Sequence, residues 1–295
     1  MIARALLWAS PAVVLLFPLQ IPDPFVKTRA LAFVVCVDLM FRLVDCARRP
    51  SAGAKGSGSL LERVAFLIPF PIFVAIRDQK MRQRGKGVGR PRDWVALITG
   101  AAVCVACWFA LEAAFTVDAL QTSFWLDHCV KLPLFVLAVE AGTRALCGLE
   151  RILGFRTEPL VKSVFLSRTP AEFWRRWNNR VHAWLFRHLF APCGGAKHPV
   201  RAVWLTFLFS GLFHELAFGL ATGRFDGYQF AFFVIQAPAV LLSGKLSRWS
   251  RRGGVGGEIV ARGFTILCLG ATSILFLHGV DRVFHQFYAA ELWLP

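Results

Sequence analysis

Acidic residues are scarce in this sequence, which has 18 Asp and Glu against 34 Lys and Arg and a formal net charge of +16. The basic residues cluster between apolar runs. A nucleic-acid-binding surface explains such a placement poorly, whereas the positive-inside rule of membrane proteins explains it well; attraction for anionic head groups or an anionic cosubstrate is a second explanation. We therefore expect membrane lipids, and no nucleic acid, as partners.

The sequence also lacks the residue spacings of a metal or redox centre. Cys104 and Cys107 form a C-x-x-C pair, but no second pair accompanies it and its surroundings are apolar. His214 and Glu215 lack the second histidine of a zinc protease motif, and the remaining histidines have no ligand spacing. We expect no metal and no permanently bound cofactor.

Long polar stretches are few, because 56% of the residues are hydrophobic. The mean hydropathy of +0.53 excludes an ordinary soluble domain. We predict an all-α, polytopic helical membrane protein that forms a single multi-pass domain over residues 1–295.

Seven apolar runs are long enough to cross a bilayer. They are residues 2–20, 30–46, 93–116, 125–147, 200–221, 227–244 and 258–279. No convincing signal-peptide cleavage site follows the first run, so we expect it to remain as a span. The apolar run at 64–76 is shorter and contains Pro69 and Pro71, which favours a re-entrant or interfacial segment.

The distribution of basic residues predicts the orientation of these spans. If the 64–76 run turns back, the basic connector 47–59 and the basic loops 77–92, 148–198 and 245–257 all fall on one side. By the positive-inside rule that side is the cytoplasm. We therefore expect a cytoplasmic N-terminus and an external C-terminus.

Asp38 and Arg42 lie four residues apart in the second predicted span. Rare charges within a membrane commonly pair with one another, and this spacing permits a pair across one helical turn. A buried structural ion pair is favoured over a role in substrate binding.

The stretch 169–188 predicts one amphipathic helix lying in the membrane interface. Thr169 is suited to cap it, Pro170 to occupy its first position, and Glu172 to complete a capping box. An aromatic-rich stripe recurs at three- or four-residue spacing: Phe173, Trp177, Val181, Trp184 and His188. Interface anchoring is the favoured interpretation of its aromatic residues over a binding platform. The nearby arginines are interpreted first as facing head groups and second as binding cofactor phosphates: Arg175, Arg176, Arg180 and Arg187.

The run 200–221 predicts a spanning helix with His214 near its middle. Thr206, Ser210 and His214 share one small, polar face. A histidine at membrane depth is held neutral by desolvation and can accept a proton from an alcohol, although a structural role as a hydrogen-bonded bridge between helices explains it equally well. For Glu215, about 100° around the helix, structural pairing ranks above orientation of His214.

Three segments carry a resemblance to a known family: FWRRWN at 173–178, then VHAWLFRHLFAP, then VWLTFLFSGLFHELAFG. Together they resemble the wax synthase-like branch of the membrane-bound O-acyltransferase (MBOAT) family over residues 164–243. The resemblance implies transfer of an acyl group from acyl-CoA, a cosubstrate, to the hydroxyl of a long-chain alcohol or other lipid alcohol.

The resemblance also implies which residues act. The W-N of the first motif falls on Trp177 and Asn178, and the histidine of the F-H-E segment falls on His214, so Asn178 and His214 are the expected catalytic residues. We expect the acyl-CoA phosphates near three arginines, Arg175, Arg176 and Arg180, and the substrate near Trp177, Ser210 and Glu215. The alternative is a non-enzymatic membrane transporter or assembly partner of the same architecture; internal repeats, which favour a transporter, are not evident.

Overall fold

The computed structural model describes residues 10–48, 66–74, 89–284 and 287–288, and these residues form helices and connections without a strand. The α-helices are α1 (Ser10–Gln20, ending in a 3-10 turn), α2 (Val26–Ala47), α3 (Pro91–Ala114), α4 (Asp118–Thr122), α5 (Phe124–Ile152), α6 (Pro170–Arg176), α7 (Asn179–Leu185), α8 (Pro199–Thr222), α9 (Tyr228–Arg252) and α10 (Gly254–Phe284). A π-helical turn, Phe186–Phe190, continues α7, and 3-10 turns occur at Val164–Leu166 and Gly195–Lys197.

Five of these helices, α3, α5, α8, α9 and α10, are long and apolar enough to cross a membrane. They coincide with five of the seven predicted spans, and the prediction of an all-α, polytopic membrane protein is confirmed. The other two predicted spans correspond to α1, a shorter apolar helix, and to α2, which has 22 residues and several buried charges. Most of the predicted connector 47–59 and basic loop 77–92 lies outside the described residues.

The ion pair predicted within α2 is present and fully buried. Arg42 Nε donates to Asp38 Oδ2 over 2.8 Å, and both side chains are 0% exposed. The remaining Arg42 donors reach the carbonyl oxygens of Phe66, at 2.6 Å, and of Pro71. The pair is therefore structural, as favoured from the sequence, and it binds a second part of the chain.

That second part is the segment 66–74, which turns back against α2. Its Phe73 N–H donates to the second oxygen of Asp38 over 2.6 Å. Its described residues contain no helix long enough to cross a bilayer, in keeping with the predicted non-spanning segment.

Close packing of α3 against α5 depends on glycine. A Cβ atom added to Gly100 would lie 2.7 Å from the Ala141 carbonyl oxygen, which is closer than real side chains approach. Small residues at such contacts let the backbones of membrane helices come together. The helices α8, α9 and α10 follow one another as antiparallel neighbours joined by short turns.

Candidate active site

The segment that precedes α8 begins with the predicted helix cap. Thr169 accepts a hydrogen bond from the Glu172 N–H, and the Glu172 carboxylate accepts one from the Arg168 N–H at 3.0 Å, so the reciprocal bond reaches one residue further back than a capping box requires. Burial raises the pKa of the Glu172 carboxyl, but the hydrogen bonds from the Arg168 N–H and from Arg176 outweigh it and hold that pKa below its ordinary value.

The prediction of one continuous interfacial helix was wrong, because the chain breaks between α6 and α7. Asn178 adopts a left-handed conformation, with φ 50° and ψ 62°, and its side chain caps α7 by accepting from the Val181 N–H over 3.3 Å. Asparagine tolerates this region better than most residues do.

Hydrogen bonds from a distant segment explain the break. The Asn179 N–H donates to the Leu160 carbonyl at 2.8 Å instead of continuing a helix, and the Arg176 carbonyl accepts from the Lys162 N–H at 3.1 Å. We call this break between α6 and α7, at residues 177–178, the joint. Backbone groups on both sides of the joint are thus satisfied by the residues that lead into α6.

The joint faces a cavity of about 490 Å³. Residues of α5, α6, α7, α8, α9 and α10 line it, and most of them are apolar or aromatic. Both expected catalytic residues, His214 from α8 and Asn178 from the joint, are among these lining residues.

The His214 ring is held by a hydrogen bond and by ring contacts. Its Nδ1 lies 2.7 Å from the Ser210 carbonyl oxygen, an acceptor, so Nδ1 carries the proton and Nε2 is left with a lone pair. Phe233 stacks on the ring at a centroid distance of 4.2 Å, and Phe276 meets it edge-on at 5.9 Å. The ring therefore has a defined orientation in an apolar environment.

The two adjacent asparagines of the joint have different environments. Asn178 lines the cavity, and no hydrogen bond of its amide nitrogen is formed with the described residues. Asn179 is directed the other way, where its amide nitrogen donates to the Pro159 carbonyl at 2.5 Å. An amide able to donate to a bound molecule is therefore supplied by Asn178.

Two of the three residues expected near the substrate line the same cavity. Trp177 stacks on Phe173 at a centroid distance of 5.7 Å. The Ser210 hydroxyl donates to the Thr206 carbonyl one turn back, so Ser210 contributes to the site through its own carbonyl, which orients His214.

The third, Glu215, is not among the residues that line this cavity. Its carboxylate accepts hydrogen bonds from the N–H groups of Gly227, at 2.7 Å, and Phe230, at 3.2 Å. These groups belong to the start of α9, where a negative charge complements the unpaired N–H groups and the helix dipole. These contacts agree with the structural pairing that ranks first for Glu215.

The aromatic stripe faces the protein interior, so its interpretation as a set of interface anchors was wrong. Phe173, Trp177 and Val181 line the cavity. Trp184 is 6% exposed and stacks on Phe41 of α2 at 4.1 Å. Hydrophobic periodicity identifies the buried face of a helix but not whether protein or lipid covers it.

Arg180 does not join a phosphate site, contrary to expectation. Its five N–H groups make hydrogen bonds to the Glu150 carboxylate and to the carbonyls of Ile72 and Glu158. Arg176 is engaged in a similar way by the Glu172 carboxylate, at 2.8 Å, and by the Ser163 carbonyl, at 3.2 Å.

Arg175 is the remaining arginine of the expected phosphate site, and its side chain is exposed. Its charge acts on His182, a lining residue that sequence reasoning set aside. Burial lowers the pKa of His182, and the Arg175 charge lowers it further, which favours a neutral imidazole. His182 lies four residues after Asn178, a spacing that places two residues on one face of a helix. This spacing was the sequence signal that could have identified His182 as a lining residue.

Comparison with known proteins finds relatives that match this chain over part of their length. The chain is 33% identical over 131 residues to diacylglycerol O-acyltransferase 1B of Glycine max, a match covering 44% of this chain and 26% of that protein. It is 27% identical over 138 residues to the probable sterol O-acyltransferase 2 of Schizosaccharomyces pombe, covering 46% of this chain and 28% of that protein. The matches thus span about a quarter of these relatives' lengths.

A family model extends the similarity over the helices that surround the cavity. The model of the membrane-bound O-acyltransferase family matches residues 95–278, more than half of the chain. The predicted family is confirmed, whereas its wax synthase-like branch stays a prediction, since the relatives named above carry diacylglycerol and sterol acyltransferase names. With its multi-pass helical architecture and this match, the chain belongs to the membrane-bound O-acyltransferase family, MBOAT.

Proposed function

We propose that this protein is a membrane-embedded O-acyltransferase that transfers an acyl group from acyl-CoA to the hydroxyl of a lipid alcohol. The observation that carries the proposal is that the His214 ring and the Asn178 amide line one apolar cavity. An apolar cavity with few convergent polar groups suits a lipid substrate that reacts at one polar end.

His214 is the proposed general base. With Nδ1 donating to the Ser210 carbonyl, Nε2 accepts the proton of the acceptor hydroxyl as its oxygen attacks the thioester carbonyl carbon. The tetrahedral intermediate expels the coenzyme A thiolate, and the proton held on His214 passes to that sulfur. The products are an ester and coenzyme A, with no net uptake or release of a proton.

Asn178 is the proposed partner in charge stabilisation. Negative charge develops on the thioester oxygen during attack, and a preorganised N–H donor lowers the barrier by binding that oxygen. The left-handed backbone at Asn178 and the cap to Val181 hold the amide at the cavity wall without using its nitrogen.

For the finer assignments we propose a long-chain alcohol as acceptor, as in the wax synthase-like branch, and entry of acyl-CoA from the cytoplasmic side. Glyceride and sterol hydroxyls are the alternatives named by the relatives. Exposed Arg175 is placed to attract the phosphates of the coenzyme.

The test is an assay of isolated membranes with radiolabelled acyl-CoA and a panel of lipid alcohols. We expect His214→Ala to reduce kcat by about 10² to 10⁴-fold and Asn178→Ala by about 10² to 10³-fold. Asn178→Gly keeps the left-handed backbone and removes the amide, so it separates the chemical effect from the structural one.

His198→Ala is the matched control, because His198 is exposed and lies outside the cavity lining. Wild-type rates in both the His214 and Asn178 variants would exclude the mechanism. Solute uptake by proteoliposomes in the absence of any ester product would instead favour the transporter alternative.

A further inference from the structure

Five side-chain hydroxyls from the described residues line the cavity, and four of them already donate to backbone carbonyls. Those four are Thr206, Ser210, Thr265 and Ser273. The fifth, Ser167, is 2% exposed, and its hydroxyl has no hydrogen-bond partner among the described residues. Because polar groups in an apolar interior are normally paired, Ser167 needs an explanation.

A second unpaired donor lines the same cavity a few residues further along. The indole N–H of Trp174 is buried and has no partner within the described part of the chain. Its ring lies 5.4 Å from the Phe233 ring, which in turn stacks on His214. The Phe233 ring therefore contacts both the Trp174 indole and His214, the proposed base.

Hydrogen bonds fix the backbone that carries both groups. The Arg168 carbonyl, next to Ser167, accepts from the Thr265 hydroxyl at 3.1 Å, and the Ala171 N–H donates to the Ser243 hydroxyl at 3.0 Å. These contacts tie the start of α6 to α10 and α9. Ser167 and Trp174 are thus held on a rigid wall, as a binding site requires.

We propose that Ser167 and Trp174 form a carbonyl-binding point, a second polar contact for substrate inside the cavity. An indole N–H only donates, so its partner is an acceptor such as a carbonyl oxygen. The inference rests on the proposed function for the identity of the substrates, and it adds two specificity-determining residues to that site.

Two substrates carry such an oxygen. A glyceride acceptor has ester carbonyls close to its free hydroxyl, whereas a simple fatty alcohol has none. Acyl-CoA carries its thioester carbonyl and amide carbonyls further along the molecule. Binding of the acceptor's ester makes the enzyme discriminate between alcohols, while binding of the donor's carbonyl leaves that choice unaffected.

The experiment compares two acceptors that differ only in these oxygens, a 1,2-diacylglycerol and the corresponding 1,2-dialkylglycerol ether. Acyl transfer from labelled acyl-CoA is measured for wild type, Trp174→Phe and Ser167→Ala. Loss of one neutral hydrogen bond predicts a fall of about 2- to 10-fold in kcat/KM. Thr99→Val is the matched control, because the Thr99 hydroxyl lies in α3 outside the cavity lining and already donates to the Val95 carbonyl.

A fall with the diester acceptor alone assigns the point to the acceptor. Equal falls with both acceptors, together with a raised KM for acyl-CoA, assign it to the donor. If both variants keep the wild-type kcat/KM for each acceptor and the wild-type KM for acyl-CoA, the carbonyl-binding point does not exist.

Thermal unfolding of the purified protein separates this inference from the proposed function. If wild type forms no ester with any alcohol, the proposed function fails. A larger increase in Tm with the diester than with the diether, removed by Trp174→Phe, would still support the carbonyl-binding point. Equal increases in that case would overturn it.

Discussion

Arg180 and Glu150 form a bidentate ion pair, with N···O distances of 2.6 and 3.0 Å, that joins α7 to the end of α5. The Glu150 side chain is 0% exposed and that of Arg180 is 9% exposed. Removal of one partner from such a pair leaves a buried charge without compensation.

We therefore expect Arg180→Met to lower the free energy of unfolding by about 3–5 kcal/mol, as measured by thermal or denaturant unfolding in detergent. Glu150→Leu should have a similar effect. The double variant should lose less than the sum of the two single losses, because no unpaired charge remains. Strictly additive losses would contradict the ion pair.

Substitution of Arg175, unlike that of Arg180, should affect the binding of acyl-CoA and not the stability of the protein, since the Arg175 side chain is exposed. We expect Arg175→Gln to leave the unfolding temperature unchanged and to raise the KM for acyl-CoA by about 2- to 5-fold at low salt, the size of an exposed charge interaction. The effect should shrink as ionic strength rises. Arg187→Gln, further along the same segment, is the control, and an equal KM in the Arg175 and Arg187 variants would remove Arg175 from coenzyme binding.

The stability of the protein should fall in mild acid partly because of His182. Its pKa is lowered in the folded state, so the unfolded chain binds the proton more readily. The contribution of His182 to stability is therefore fully present above about pH 6.5, the pKa of histidine in the unfolded chain, and is lost as the pH falls below that value.

This linkage is measured as the difference in Tm between pH 7.5 and pH 5.5. We expect His182→Gln to show a smaller difference than wild type, because the variant has no proton to bind at this position. An unchanged or larger difference would mean that His182 is not held neutral by its environment.

The basic segments 77–92 and 245–257, predicted as loops, should lie on the same side of the membrane, although α9 and α10 leave only Gly253 between them in the second segment. Four spanning helices, α3, α5, α8 and α9, separate them, and an even number of crossings returns the chain to its starting side. Glycosylation or reporter tags inserted in each segment would measure the sidedness, and the positive-inside rule predicts that both are cytoplasmic. Tags that report opposite sides would show that one of the four helices does not cross.

The spanning helices were predictable because they depend on the local sequence. The run 200–221 predicted α8 within one residue at each end, since a long apolar stretch has no stable alternative to a helix in lipid. His214 was identified as a candidate because an ionisable side chain at membrane depth is unusual. That it shares a cavity with Asn178 depends on how the helices pack, which periodicity does not reveal.

The break at Asn178 was not predictable, because the hydrogen bonds that produce it come from residues 159–162. Nothing in the local sequence distinguishes it from a continuous amphipathic helix. The role of Arg180 was missed for a similar reason, since its partner Glu150 lies thirty residues earlier in the chain. Contacts of this kind override local propensity.

Glu215 links the turn between α8 and α9 to the proposed reacting centre. The carboxylate that holds the Gly227 and Phe230 N–H groups belongs to the residue directly after His214. Lengthening this turn would shift those N–H groups and pull on the backbone that bears the imidazole. We therefore expect the length of this turn to be constrained by the chemistry proposed at His214.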